Sequence, residues 1–71
     1  MENRVKTLEE IKDPTKRAIL SYLLENGVSY LGEILKHLAI SYSRGYKYLE
    51  EMEREGLVET MTEPPKFKAA I

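Results

Sequence analysis

Apolar residues fall at helical spacing in three blocks, separated by residues that stop helices. After Asp13-Pro14, the positions Ala18, Ile19, Leu20, Leu23 and Leu24 recur at i, i+1, i+4 and i+5, one face of a helix. An Asp ahead of a Pro suits a helix start: the carboxylate accepts from free N–H groups, and Pro lacks only a donor that the first turn does not use. Asn26-Gly27 ends this block, with Gly27 fitted to the left-handed position past a helix. After Val28-Ser29 a second helix carries Leu31, Ile34, Leu35 and Leu38 and ends near Ala39-Ile40. Ser41 offers a new cap for a third helix from about Tyr42 to Glu55, with Tyr48, Leu49 and Met52 inward and Gly56 as its stop. Ahead of these, Val5, Leu8 and Ile11 are spaced by three and predict a short N-terminal helix ending near Lys12, with a stripe narrow enough only to dock.

Beyond Gly56 the period changes. Leu57 to Met61 reads as a strand, Thr62-Glu63-Pro64-Pro65 as a turn, and Lys66 to Ile71 as a returning strand. The expected fold is mainly α with a small β-hairpin. It is a single domain over 1–71: an N-terminal arm at 1–12, a three-helix core at 13–56 and a hairpin at 57–71. Seventy-one residues leave no room for a second core. A chain that is 42% hydrophobic and 32% charged matches a folded domain and not a disordered one. Without Cys, and with His37 as the one His, the sequence offers neither a thiolate or histidine metal site nor a cysteine nucleophile. It has no nucleophile–base pair or phosphate-cradling loop, so no enzyme activity, cofactor or metal is expected. No apolar run approaches a membrane span, and a cytoplasmic location is the default expectation.

The net charge of −1 hides a sorted distribution. Ser41 to Leu49 holds the cations Arg44 and Lys47 and no acid, whereas Glu50, Glu51, Glu53 and Glu55 crowd the next stretch against Arg54 alone. The acids read as a solvated face, with Glu50 and Arg54 paired at i, i+4. Asp13 reads as a cap, and His37, beside Lys36, as a surface residue near a helix C-terminus.

Only Ala39 to Tyr42 joins the second and third helices, the short link of a helix-turn-helix. From Asp13 to Glu59 the sequence resembles the winged helix-turn-helix transcription regulators of the ArsR/MarR-like superfamily. The resemblance is carried by DPTKRAIL at the first core helix, LKHLAIS at the turn and YLEEMEREGLVE leading into the hairpin. It implies a winged helix-turn-helix fold and sequence-specific binding of double-stranded DNA, with the third helix in the major groove and the hairpin as wing. Mapped onto this chain, the DNA-binding residues are Ser41, Tyr42, Ser43, Arg44, Tyr46 and Lys47 on the helix, and Lys66 and Lys68 on the wing. Arg suits guanine O6 and N7, and Ser hydroxyls at a helix N-terminus suit phosphate.

Two positions depart from the family pattern: Ala39 where the turn usually has Gly, and Gly45 where the third helix usually has an apolar side chain. Either a Tyr such as Tyr30 covers the bare backbone at Gly45, or the helix lies unusually close to a neighbour. Tyr42 and Tyr46 either face the duplex or fill the same gap. The resemblance also implies a homodimer, joined here through Val5, Leu8 and Ile11 or through the wing. The competing reading is a winged-helix protein-interaction module without DNA binding, suggested by the slight acidity and the tyrosines of the third helix.

Overall fold

The computed structural model describes residues 8–61 and 65–71. Val5 and the centre of the expected turn, residues 62–64, lie outside the described residues. The elements run α1 (Pro14–Asn26), β1 (Ser29–Tyr30), α2 (Leu31–Leu38), α3 (Tyr42–Arg54), β2 (Val58–Met61) and β3 (Lys66–Ala69). Residues 8–10 are also helical, and that turn stops ahead of Asp13-Pro14 as the sequence predicts.

Local chemistry sets the helix ends. The Asp13 carboxylate accepts from the N–H of Thr15 at 2.8 Å and of Lys16 at 3.4 Å, and Pro14 opens α1. Gly27 closes it at φ 76°, its N–H donating to the Leu23 carbonyl at 2.8 Å. Gly56 stands at φ 80° just past α3. At the end of α2 the left-handed position is taken by Ala39, at φ 56° and ψ 44°. A side chain there costs about 1–2 kcal/mol in backbone strain. Ala39→Gly is therefore expected to stabilise by about 0.5–1 kcal/mol after glycine's greater unfolded-state freedom is subtracted. In a thermal melt followed by circular dichroism this is a rise of about 2–8 °C. A lowered melting temperature would mean that the Ala39 methyl contributes packing that outweighs the strain.

The residue pattern predicts a two-stranded hairpin; the sheet has three strands, in the order β1-β3-β2, all antiparallel. The segment expected to be a plain link at Val28-Ser29 runs into β1, where Ser29 lies opposite Phe67 and Tyr30 opposite Lys66. Ser29 is buried with its hydroxyl donating to the Gly27 carbonyl at 3.0 Å, so it enters the core without an orphaned polar group. The two hairpin strands are also shorter than predicted. Leu57 belongs to the closure of α3, its N–H donating to the Met52 carbonyl at 2.9 Å, and β3 ends at Ala69.

Ile19, Leu20 and Leu23 of α1, Leu31 and Ile34 of α2, Leu49 and Met52 of α3, and Val58 and Phe67 of the sheet form one core. The predicted face of each helix is the buried one. Ala18, Leu24, Leu35, Leu38 and Tyr48 lie at its margin, half-buried. Leu8 and Ile11 pack against this same core, and the Arg17 guanidinium donates to the Ile11 carbonyl, fastening the arm to α1.

Lys16 joins α1 to the end of α3, with its ammonium 3.1 Å from Glu51 and 3.0 Å from Glu55. Two of the acids read as a solvated face are thus used in tertiary contact. The expected Glu50–Arg54 pair is not among the ion pairs of the described residues. Hydrogen bonds to Glu55 and then Glu51 raise the Lys16 pKa above its ordinary 10.5. Raising the folded-state pKa of a cation means that its contribution is complete below about 10.5 and is lost as pH climbs through the higher folded value. Lys16→Met should cost no more than about 1 kcal/mol near neutrality, the range for a partly solvated pair. The deficit, read from urea midpoints, should shrink on going to strongly alkaline pH. A deficit independent of pH would assign the effect to the aliphatic stem instead.

Candidate nucleic-acid interface

The candidate surface starts at Ser41, whose extended backbone (φ −71°, ψ 160°) and hydroxyl cap α3; the hydroxyl accepts from the Arg44 N–H at 3.3 Å. Along α3 the buried positions are Gly45, Leu49 and Met52, at i, i+4 and i+7. Ser41, Tyr42, Ser43, Arg44, Tyr46 and Lys47 are all exposed. The structure therefore brings every helical candidate onto the outward side of the first half of α3.

Gly45 explains how α3 reaches this position. A Cβ there would fall 1.9 Å from Cδ2 of Leu35, 3.3 Å from its Cγ and 3.4 Å from Cδ1 of Ile40. The Leu35 side chain from α2 occupies the space where an apolar residue of α3 would otherwise sit. Of the two readings of Gly45, close approach of a neighbouring helix is the one found, and no tyrosine is needed as filler. Tyr42 and Tyr46 instead stay 64% and 43% exposed. Their rings stack on each other, centroids 6.1 Å apart and planes 8° from parallel. Each ring orders the other, leaving hydroxyls and apolar ring edges presented together at low entropic cost on binding.

Arg44 and Lys47 are in no ion pair among the described residues. They border an open hollow with Asp13, Tyr48 and Glu51, but the Asp13 carboxylate is engaged in capping α1 and Glu51 is held by Lys16. On the other side of α3 a groove faces the hairpin, lined by Tyr46, Leu49, Glu50, Glu53, Met61 and Phe67. Its two carboxylates repel a polyanion, so only the first half of the helix is suited to meet phosphate.

Lys66 and Lys68 stand two apart on β3, on the face opposite the buried Phe67. They differ in setting. Lys68 lies opposite Glu59 with its ammonium 3.5 Å from that carboxylate, so its charge is already countered. Lys66 lies opposite Tyr30, its ammonium 5.6 Å from the ring centroid. A ring face restrains a cation without neutralising it. Tyr30, expected only as a cover for Gly45, stands instead beside the wing, because the third strand that delivers it is two residues long and shows no period. His37, read as a plain surface residue, is exposed and lies against Tyr22, ring centroids 4.6 Å apart. Among the described residues no group of His, Cys, Asp and Glu is placed to hold a metal ion, and no helix is long and apolar enough to cross a membrane.

A family profile described as "Sugar-specific transcriptional regulator TrmB" matches residues 15–71, most of the chain and all of the candidate residues. The chain belongs to the TrmB family. The broader resemblance seen in the sequence, to winged helix-turn-helix regulators, holds at that level, and the family matched is TrmB and not ArsR or MarR. Among solved structures, the crystal structure of the Zalpha domain from Carassius auratus PKZ in complex with Z-DNA aligns with a TM-score of 0.74. The two are 27% identical, over 78% of this chain and 90% of that one. No curated protein matches. The TrmB assignment and this likeness agree with the observed winged-helix architecture, mostly helical with a small antiparallel sheet.

Proposed function

We propose that this chain is a sequence-specific double-stranded DNA-binding transcription regulator acting in the cytoplasm. Its α3 enters the major groove by its first half, and the β2–β3 hairpin lies alongside as the wing. The observation that carries the reading is the outward face of α3, where Arg44 and Lys47 lie exposed beside the stacked Tyr42 and Tyr46. Ser41 and Ser43 at the helix start suit phosphate oxygens, Arg44 suits a guanine edge, and the tyrosine rings suit thymine methyls. Membership of TrmB supports a regulatory role, and the family's description points to sugar-handling genes as its targets.

The regulator works as a homodimer on a pseudo-palindromic site, with half-sites about 34–36 Å apart. Of the two dimer surfaces expected from the sequence, the stripe of Val5, Leu8 and Ile11 has Leu8 and Ile11 engaged on the chain's own core, so the second copy joins through the wing. Selection of bound sequences from a random duplex pool tests these statements together. Enriched inverted repeats at that spacing are expected; enrichment of single, unpaired motifs would remove the dimer and leave the helix.

The Z-DNA-bound neighbour favours a second reading, recognition of the left-handed duplex form. An anisotropy titration of a duplex held left-handed beside one in the right-handed form separates the two: a preference for the left-handed form regardless of sequence supports the second. Affinity for both forms weaker than the usual non-specific range of about 10⁻⁴–10⁻⁶ M would point to a protein-interaction module instead.

A further inference from the structure

The two-residue strand β1 places an aromatic ring beside the turn end of the wing. Tyr30 is pinned through its backbone: its N–H donates to the Glu33 carboxylate at 2.9 Å, and the next N–H, of Leu31, donates to the Pro65 carbonyl at 3.4 Å. Its ring is not part of the core; 44% of the residue remains exposed. Lys66 is paired across the sheet with Tyr30 on one side and Met61 on the other, and its ammonium lies over the Tyr30 ring. A lysine head on a four-carbon stem is otherwise among the most mobile groups on a protein surface, and ordering it on binding costs free energy. The ring lowers that cost and leaves the full charge available, whereas Lys68 must leave Glu59 before it meets another anion.

We propose that Tyr30 is a positioning residue for duplex binding: it holds Lys66, at the turn end of the hairpin, for a phosphate oxygen, making Lys66 the principal wing contact and Lys68 a minor one. The proposal rests on the DNA-binding reading above and adds to it a residue outside both α3 and the hairpin.

The test is a fluorescence-anisotropy titration of the selected duplex at several salt concentrations, with folding of each variant checked by circular dichroism. For each bound subunit, Lys66→Ala should reduce the log–log salt slope by about 0.9 and weaken binding about eightfold at 0.1 M salt, as for one lost phosphate contact. Tyr30→Ala should weaken binding about two- to fivefold, the range of an exposed cation–π contact, while Tyr30→Phe stays at the wild-type value. In the Lys66→Ala background, Tyr30→Ala should have no further effect. Additive losses would overturn the proposal, as would a Tyr30→Phe variant as weak as Tyr30→Ala, which would show the hydroxyl touching the duplex itself. A second measurement needs no DNA: the Lys66 ε-methylene protons of the free protein should be shifted upfield by the ring, and the shift should vanish in Tyr30→Ala. Its absence from the wild-type protein overturns the positioning role on its own. Failure of the wild-type protein to bind any duplex overturns the functional reading and this inference with it.

Discussion

Gly45→Val is expected to destabilise the domain by about 1–3 kcal/mol, the cost of forcing extra methyl groups into a filled space. For a chain of 71 residues this is a large part of a total of about 4–10 kcal/mol. The melting temperature should fall by about 4–8 °C per kcal/mol. The reason is geometric: Leu35 already occupies the Cβ position, at 1.9 Å, so either Leu35 or the whole of α3 must move. Gly45→Ala should cost much less, because a better helix former regains about 1 kcal/mol and a half-buried Leu35 has some room to turn. The double variant Gly45→Val/Leu35→Ala supplies the deciding comparison. Removing the atoms in conflict should make the pair more stable than the sum of its parts by about 1–3 kcal/mol. A Gly45→Val protein that melts like the wild type would show Leu35 swinging freely into solvent, and the close approach of α2 and α3 would lose its importance. The same contact sets how far α3 stands out from the body, so Gly45→Val should also weaken duplex binding.

Arg44→Ala should cost about 1–3 kcal/mol of discrimination at one base pair, roughly 5- to 150-fold, with a smaller loss on unrelated duplexes. The guanidinium is on the first turn of α3, exposed, and in no ion pair among the described residues. On the proposed function, a planar fork so placed would donate two parallel hydrogen bonds to a guanine edge, which a lysine ammonium does not reproduce, so Arg44→Lys should restore affinity but not preference. Lys47→Ala should behave oppositely, weakening all sequences alike and lowering the salt slope by about 0.9 for each bound subunit. Anisotropy titrations on the selected duplex and a scrambled one measure both. Equal losses on the two duplexes for Arg44→Ala would remove that residue from base reading and leave it a phosphate contact.

The helices were legible because each carries its own local instructions. Asp13-Pro14, Asn26-Gly27, Ser41 and Gly56 mark ends whose caps form as their chemistry requires, and the apolar spacing selects the face that is buried. The outward residues of α3 came from the helix-turn-helix resemblance, and with Gly45, Leu49 and Met52 buried, Ser43, Arg44, Tyr46 and Lys47 are indeed exposed. The strands were read less well. β1 is two residues long, too short to show a period, and it exists only because Phe67 and Lys66 pass beside it.

By itself, then, the sequence determined three amphipathic helices, a terminal hairpin, and a cationic, tyrosine-bearing first half of the last helix, since all of these depend on neighbours within a few positions. Tertiary structure decided what depends on residues far apart in the chain. It placed Leu35 in the gap at Gly45, matched Lys16 to Glu51 and Glu55, countered Lys68 with Glu59, and set Lys66 on Tyr30. Whether a surface charge is available or already engaged is a property of what lies across from it in space, and one-dimensional spacing carries no record of that.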